Sequence, residues 1–252
     1  MSENTAMKKN QGAKAVIGHF RRWLIPTGLF VVVLGPDGVG KSTTIRYLRL
    51  ELQRLFGHCK TERWRPGVVR KITPDTGNRI PHAKTPRGSF GSVLSILGLT
   101  LDFTIGYVAS AHPAMSRSEA IIFDRYFHDL LIDPKRYRYA GPMWLPQLLS
   151  RCIPPRRPIF VILDADEQLV LSRKQELPLP ELKRQRLAYQ AFAARAKQSM
   201  IIRTDKPVDN IVSEIVANIM SIRNSNASAA DGQWQHQDVG LASQSADSRS
   251  SR

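Results

Sequence analysis

Four short runs of uninterrupted apolar residues punctuate the chain: Leu29-Phe30-Val31-Val32-Val33-Leu34, Ala120-Ile121-Ile122-Phe123, Ile159-Phe160-Val161-Ile162-Leu163 and Met200-Ile201-Ile202. Runs this short, with no apolar–polar alternation, read as strands buried on both faces and so predict a parallel sheet. An extended pattern over residues 57–64 adds a fifth strand. Between the runs the period changes to that of a helix. Ser42 to Phe56 places Ile45, Leu48, Leu52 and Leu55 on one stripe, and Val208 to Ile222 does the same with Ile211, Ile215 and Ile219. Further helices are predicted at Ser92–Ala111, Pro142–Cys152, Glu167–Glu176 and Leu182–Lys197. Strands alternating with helices give a three-layer α/β architecture, a five-stranded parallel sheet with helices on both faces.

The pattern also divides the chain. Residues 1–23 form a polar, basic N-terminal extension whose amphipathic end, Val16 to Trp23, reads either as a short helix packed on the core or as a contact for a membrane surface or partner. Residues 24–223 carry the periodic elements and form the folded domain. From 224 to 252 the composition turns to Ser, Ala, Gln and Asp, a tail expected to be disordered. Residues 66–92, rich in Pro, Gly, Lys and Arg, read as a lid-like excursion or as a disordered insertion. The 19-residue window Val93–Ala111 has the length of a membrane span, but Asp102 at its middle and four hydroxyl residues favour a buried helix.

Charge narrows the class of partner. Residues 1–25 hold five basic residues and one acid, and residues 224–252 two arginines and three aspartates; thirteen of the sixteen net positive charges therefore belong to residues 26–223. Such an excess favours polyanions, from phosphorylated small molecules to nucleic acid and acidic lipid. The absence of a basic-aromatic stacking face argues against nucleic acid. Two distant cysteines, Cys59 and Cys152, suggest neither a disulfide framework nor a zinc site and fit a reducing, cytoplasmic setting, and no signal peptide is read at the N-terminus. A homodimer is compatible with the chain.

The chemistry is concentrated at strand ends, where parallel sheets bind ligands. After the first strand comes Gly35-Pro36-Asp37-Gly38-Val39-Gly40-Lys41-Ser42-Thr43, matching G-x-x-x-x-G-K-[ST] between a strand and a helix. Its glycines let successive N–H groups turn toward phosphate oxygens, with the helix N-terminus behind them. Lys41 is placed to bridge the β- and γ-phosphates of ATP and the Ser42 hydroxyl to ligate Mg²⁺. Asp37 is out of place in a pure anion cradle, so it is expected to face the phosphate acceptor. Asp124, ending the second apolar run, is the expected metal-side or base carboxylate, and Arg125 the expected fork for a phosphate. Downstream, Arg136 and Arg138 lie in a crowd of charges and aromatics that reads as an anion pocket, and Arg65, at the end of the extended pattern and so at a strand end, is expected to contact the substrate as well. Arg173 and Lys174 sit where a closing cation is needed; an exposed helix face with an Arg173–Glu176 pair is the alternative.

The phosphate loop, Asp124-Arg125-Tyr126 and the Arg173-Lys174-x-Glu176 helix, in that order, resemble the thymidylate kinase superfamily of P-loop nucleoside monophosphate kinases. The run from Phe123 to Tyr139 is similar to the thymidylate kinase-like proteins of bacterial surface-polysaccharide gene clusters. The resemblance covers about residues 24–222 and implies the P-loop NTPase fold, ATP and Mg²⁺. It implies catalytic roles for Lys41, Asp124 and Arg173, an acceptor-phosphate role for Arg125 and an acceptor-sugar role for Asp37. Thymidylate kinases carry Thr-Arg-Glu-Pro after the second strand, where this chain reads Thr61-Glu62-Arg63-Trp64-Arg65-Pro66. The acceptor is therefore expected to be dTMP, a related nucleotide or a sugar-type molecule. The alternative is an ATP-binding regulatory or assembly protein with slow hydrolysis.

Overall fold

A computed structural model describes residues 26–63, 88–173 and 178–226. The five expected strands form one parallel sheet: β1 Leu29–Leu34, β2 Cys59–Arg63, β3 Ala120–Asp124, β4 Ile159–Asp164 and β5 Ser199–Arg203, in the spatial order β2-β3-β1-β4-β5. The phosphate-loop strand β1 is central, paired with β3 and β4.

Alternation along β1 explains why every residue of its run is apolar. Phe30, Val32 and Leu34 enter one core, with Phe123, Phe160 and Phe103; Leu29, Val31 and Val33 enter the other, with Ile45, Leu48, Leu52, Ile215 and Ile219. The first core is largely aromatic: Phe30 stacks on Phe123 at 5.0 Å, and Phe103 meets Tyr126 edge-on at 4.6 Å. The second is aliphatic and is covered by α1, Lys41–Phe56, and by the last helix, residues 208–226.

The apolar window is buried along one face only. Helix α2, Ser89–Gly106, passes through a π-helical turn, Tyr107–Ala111, into the short helix α3, His112–Ser116, so the element begins earlier and ends later than the periodicity implied. Pro113, which has no N–H for an intrahelical bond, stands just after the widened turn. Ile96, Leu99, Phe103 and Asp102 are buried, but Phe90, Leu94, Leu97, Leu101, Ile105 and Val108 are 41–84% exposed, spaced 4, 3, 4, 4 and 3 along one outer stripe. The expectation of a buried helix thus holds for one face. By length and composition, Phe90–Ser116 also meets the requirement for crossing a membrane.

Other boundaries shift modestly. A single turn α4, Asp129–Ile132, is added; α5 is Trp144–Cys152, α6 is described over Glu167–Arg173, its expected end at Glu176 lying outside the described residues, and α7 is Leu179–Arg195. The last helix continues to residue 226, so the expected start of the tail at 224 falls inside it. The N-terminal extension, the tail beyond 226 and most of the 66–92 excursion lie outside the described residues.

Candidate active site

The phosphate loop leaves β1 in a conformation that its glycines dictate. Gly35 has φ +147°, and a Cβ there would lie 2.6 Å from the Leu163 carbonyl oxygen of β4. Gly40, at φ +100°, caps α1 and accepts its first helical bond from the Thr44 N–H at 3.0 Å. Beyond β5, the Thr204 hydroxyl donates to the Val39 carbonyl at 2.8 Å and buttresses the loop from the far side. Lys41 is buried and donates to the Gly35 and Pro36 carbonyls at 2.9 and 2.6 Å. Burial and the neighbouring Arg125 pull its ammonium pKa down to about 7, against the opposing pull of Asp37, Asp124 and Asp129.

Two arginines converge on the loop. Arg125 follows β3 in the left-handed region, φ +68°, with its N–H donating to the Val33 carbonyl at 3.1 Å. Its Nη1 donates to Asp129 Oδ2 at 2.9 Å, while Nη2 forms a very short contact with Asp37 Oδ1. Arg136 approaches from the other side: Nη2 lies 2.5 Å from Asp37 Oδ2 and Nε 3.2 Å from Asp133 Oδ2. Lys41 Nζ lies 3.6 Å from Asp37 Oδ1. Burial pushes the Asp37 pKa upward, but Arg125, Lys41 and Arg136 outweigh it and hold the carboxyl well below the usual range.

Asp124 stands beside the loop because β1 and β3 pair in register, Val33 opposite Asp124. Its Oδ1 is buried and has no hydrogen-bond partner among the described residues. Ser42 is exposed in the first turn of α1. An orphaned carboxylate oxygen beside the phosphate loop and a hydroxyl at the loop's end are both the hard oxygen donors that Mg²⁺ takes, so the two residues fit that ion in chemistry.

The remaining expectations divide. Arg173, at the end of α6, lies over the phosphate loop: its Nη2 donates to the Thr204 carbonyl at 3.4 Å, and its Nη1 is 3.8 Å from where a Cβ on Gly40 would sit. Arg138, also left-handed at φ +55°, lines a shallow recess with Ser92, Ser95, Leu99 and Tyr139. Two arginines of α7 are tied into ion pairs, Arg186 with Asp164 and Glu167 and Arg184 with Glu181. Arg65, Lys174 and Glu176 lie outside the described residues. The sequence reading gave no part to Tyr189 and Gln185 of α7 or to Thr204. Tyr189 donates to Asp129 at 2.6 Å and Gln185 to Asp133 at 3.1 Å. One signal was available, since Asp129 stands four residues after Arg125.

No family model matches the chain. It is 27% identical to a thymidylate kinase of Leifsonia xyli subsp. xyli over 223 residues, covering 76% of this chain and 95% of that protein. A thymidylate kinase of Deinococcus radiodurans is 26% identical over 209 residues, covering 76% of this chain and 96% of the relative. Among solved structures, the thymidylate kinase of Ehrlichia chaffeensis aligns with a TM-score of 0.53 at 17% identity, over 77% of this chain and 98% of that one, a likeness of fold. Sequence and fold together make this chain a thymidylate kinase-like P-loop kinase.

Proposed function

We propose that this ATP-dependent kinase moves the γ-phosphoryl group of ATP to a small acceptor, with dTMP or a related nucleotide the first candidate and a sugar-type molecule the second. The observation that carries the reading is the meeting of Arg125, Arg136 and Lys41 at the mouth of the phosphate loop, where donor and acceptor phosphates must come together. Mg²⁺ held by Ser42 and Asp124 would neutralise charge on the donor phosphates. Lys41 supplies the fixed cation of the loop, Arg125 and Arg136 hold the acceptor's phosphate, and Arg173 covers the loop. Each contribution is one of position and charge, as phosphoryl transfer requires.

The test is ADP release with ATP and a panel of dTMP, other nucleoside monophosphates and sugar phosphates. Acceptor-dependent turnover with dTMP, and not with sugar phosphates, supports the reading. Turnover indifferent to every acceptor and raised by a protein partner supports the regulatory alternative instead.

We also place a homodimer on the outer stripe of α2. Between Phe90 and Val108 the one charged residue is Asp102, which is buried, so nothing charged interrupts the exposed stripe. Its six side chains present roughly 600 Å² if a fully exposed large apolar side chain offers about 150–200 Å². That approaches the roughly 800 Å² per partner of a stable interface.

A further inference from the structure

The two arginines at the phosphate loop are built alike. Each is anchored on one side by a carboxylate that has no freedom to leave. Asp129, the anchor of Arg125, is fully buried and also receives the Tyr189 hydroxyl; Asp133, the anchor of Arg136, is 1% exposed and also receives the Gln185 amide. A second link at Asp133, from the Arg136 N–H at 3.2 Å, fixes that arginine at its backbone as well. The outer nitrogens of both guanidinium groups then turn to the same third carboxylate, one to each oxygen of Asp37.

Asp37 differs from the two anchors in every respect that bears on release. It is 18% exposed and lies on the phosphate loop, two residues after Gly35 and one before Gly38, both at positive φ. Its two oxygens occupy positions that two oxygens of a phosphate monoester would take in a clamp of two arginines.

We propose that Asp37 is an internal stand-in for the acceptor's phosphate: it holds the Arg125–Arg136 clamp closed in the free enzyme, and the arriving dianion displaces it. This rests on the kinase reading above and adds to it an exchange between two anions at one site. The exchange links the two halves of the site. Asp37 belongs to the donor loop, and when it is displaced its remaining cation is Lys41, which in the free enzyme is committed to the Gly35 and Pro36 carbonyls. Acceptor binding therefore changes the charge facing Lys41, and by reciprocity whatever moves Lys41 changes the free energy of the exchange.

The experiment is calorimetric titration of the full-length protein with inorganic phosphate alone, for wild type, Asp37→Asn and the double variant Asp37→Asn/Arg136→Ala. Removing the internal anion should tighten phosphate binding about tenfold, within the usual span of such couplings. The double variant should lose that gain, because the clamp is then incomplete. Equal or weaker phosphate binding by Asp37→Asn overturns the proposal, and so does a gain that survives in the double variant, which would be a general effect of charge at the phosphate loop. Should Asp37→Asn fold poorly, Asp37→Ser repeats the comparison. Phosphate affinity needs no turnover, so the clamp is read independently of whether dTMP or any other acceptor is phosphorylated.

Discussion

The Tyr189 hydroxyl lies 2.6 Å from Asp129 Oδ1, and through that contact a helix sixty residues downstream fixes the carboxylate that fixes Arg125. Tyr189→Phe preserves the ring and removes the donor, leaving Asp129 with Arg125 and longer contacts from Tyr137 at 3.4 Å and Arg136 Nε at 4.0 Å. A buried hydrogen bond of this kind contributes about 1 kcal/mol. We therefore expect the acceptor KM to rise about fivefold and the KM for ATP to stay as it is. Steady-state kinetics with each substrate varied in turn separates the two, and an equal rise in both would show that Tyr189 acts on general packing.

Lys41 is held against its own chemistry. Its pKa of about 7 lies below the ordinary lysine value of 10.5, so between these values the unfolded chain binds more protons than the folded one. Stability then rises with pH across that window, and the full cost is present at pH 7 and below. Lys41→Met should lower kcat by about three powers of ten. It should also raise the melting temperature of the free enzyme, more at pH 6.5 than at pH 9. Thermal melts at both pH values test this, and a variant that melts lower at pH 6.5 would refute it.

His128 is a structural histidine. Its Nδ1 is buried without a hydrogen-bond partner among the described residues, its ring meets Phe160 edge-on at 4.9 Å, and burial lowers its pKa to about 4. Since the unfolded value is 6.5, the unfolded chain takes up a proton between pH 6.5 and 4 that the folded one refuses, and stability falls as the pH drops through that range. His128→Phe should flatten this acid dependence, with kcat at pH 7.5 unchanged. Urea midpoints at pH 7 and pH 5 decide it: a wild type with the same midpoint at both would leave the histidine no part in acid sensitivity.

The outer stripe of α2 predicts an assembly state. Placing charge at its centre with Leu94→Glu and Leu101→Glu, both exposed in one copy, should give a monomer whose fold is intact by circular dichroism. Sedimentation of wild type and variant checks it; a wild type that sediments as a monomer at micromolar concentration would remove the dimer.

The parts legible in the sequence are those in which one local pattern has one structural meaning. The apolar runs gave strands because a six-residue run such as Leu29–Leu34 can be buried only from both sides, and the ends of those runs gave Lys41, Asp124 and Arg125. Tyr189 was not legible, because a tyrosine on an amphipathic helix carries the same period whether its hydroxyl meets water or Asp129. Helix α2 misled for a related reason. Its inner and outer stripes are both apolar, so periodicity cannot tell which of them faces the sheet. The arginine partners of Asp37 lie 88 and 99 residues away, and the β1–β3 pairing brings Arg125 beside it.

That pairing has a further consequence. Because β1 and β3 are hydrogen-bonded neighbours, the loop that grips the donor and the Asp124–Arg125 step leave the sheet one strand spacing apart, about 4.8 Å. The gauge of the site is thus cut by backbone geometry, which any sequence able to make the two strands reproduces. Side chains farther out, such as those of the recess lined by Ser95, Leu99 and Tyr139, can change without altering that gauge. A chain little more than a quarter identical to its relatives can therefore keep the spacing of these two segments while the side chains around them diverge.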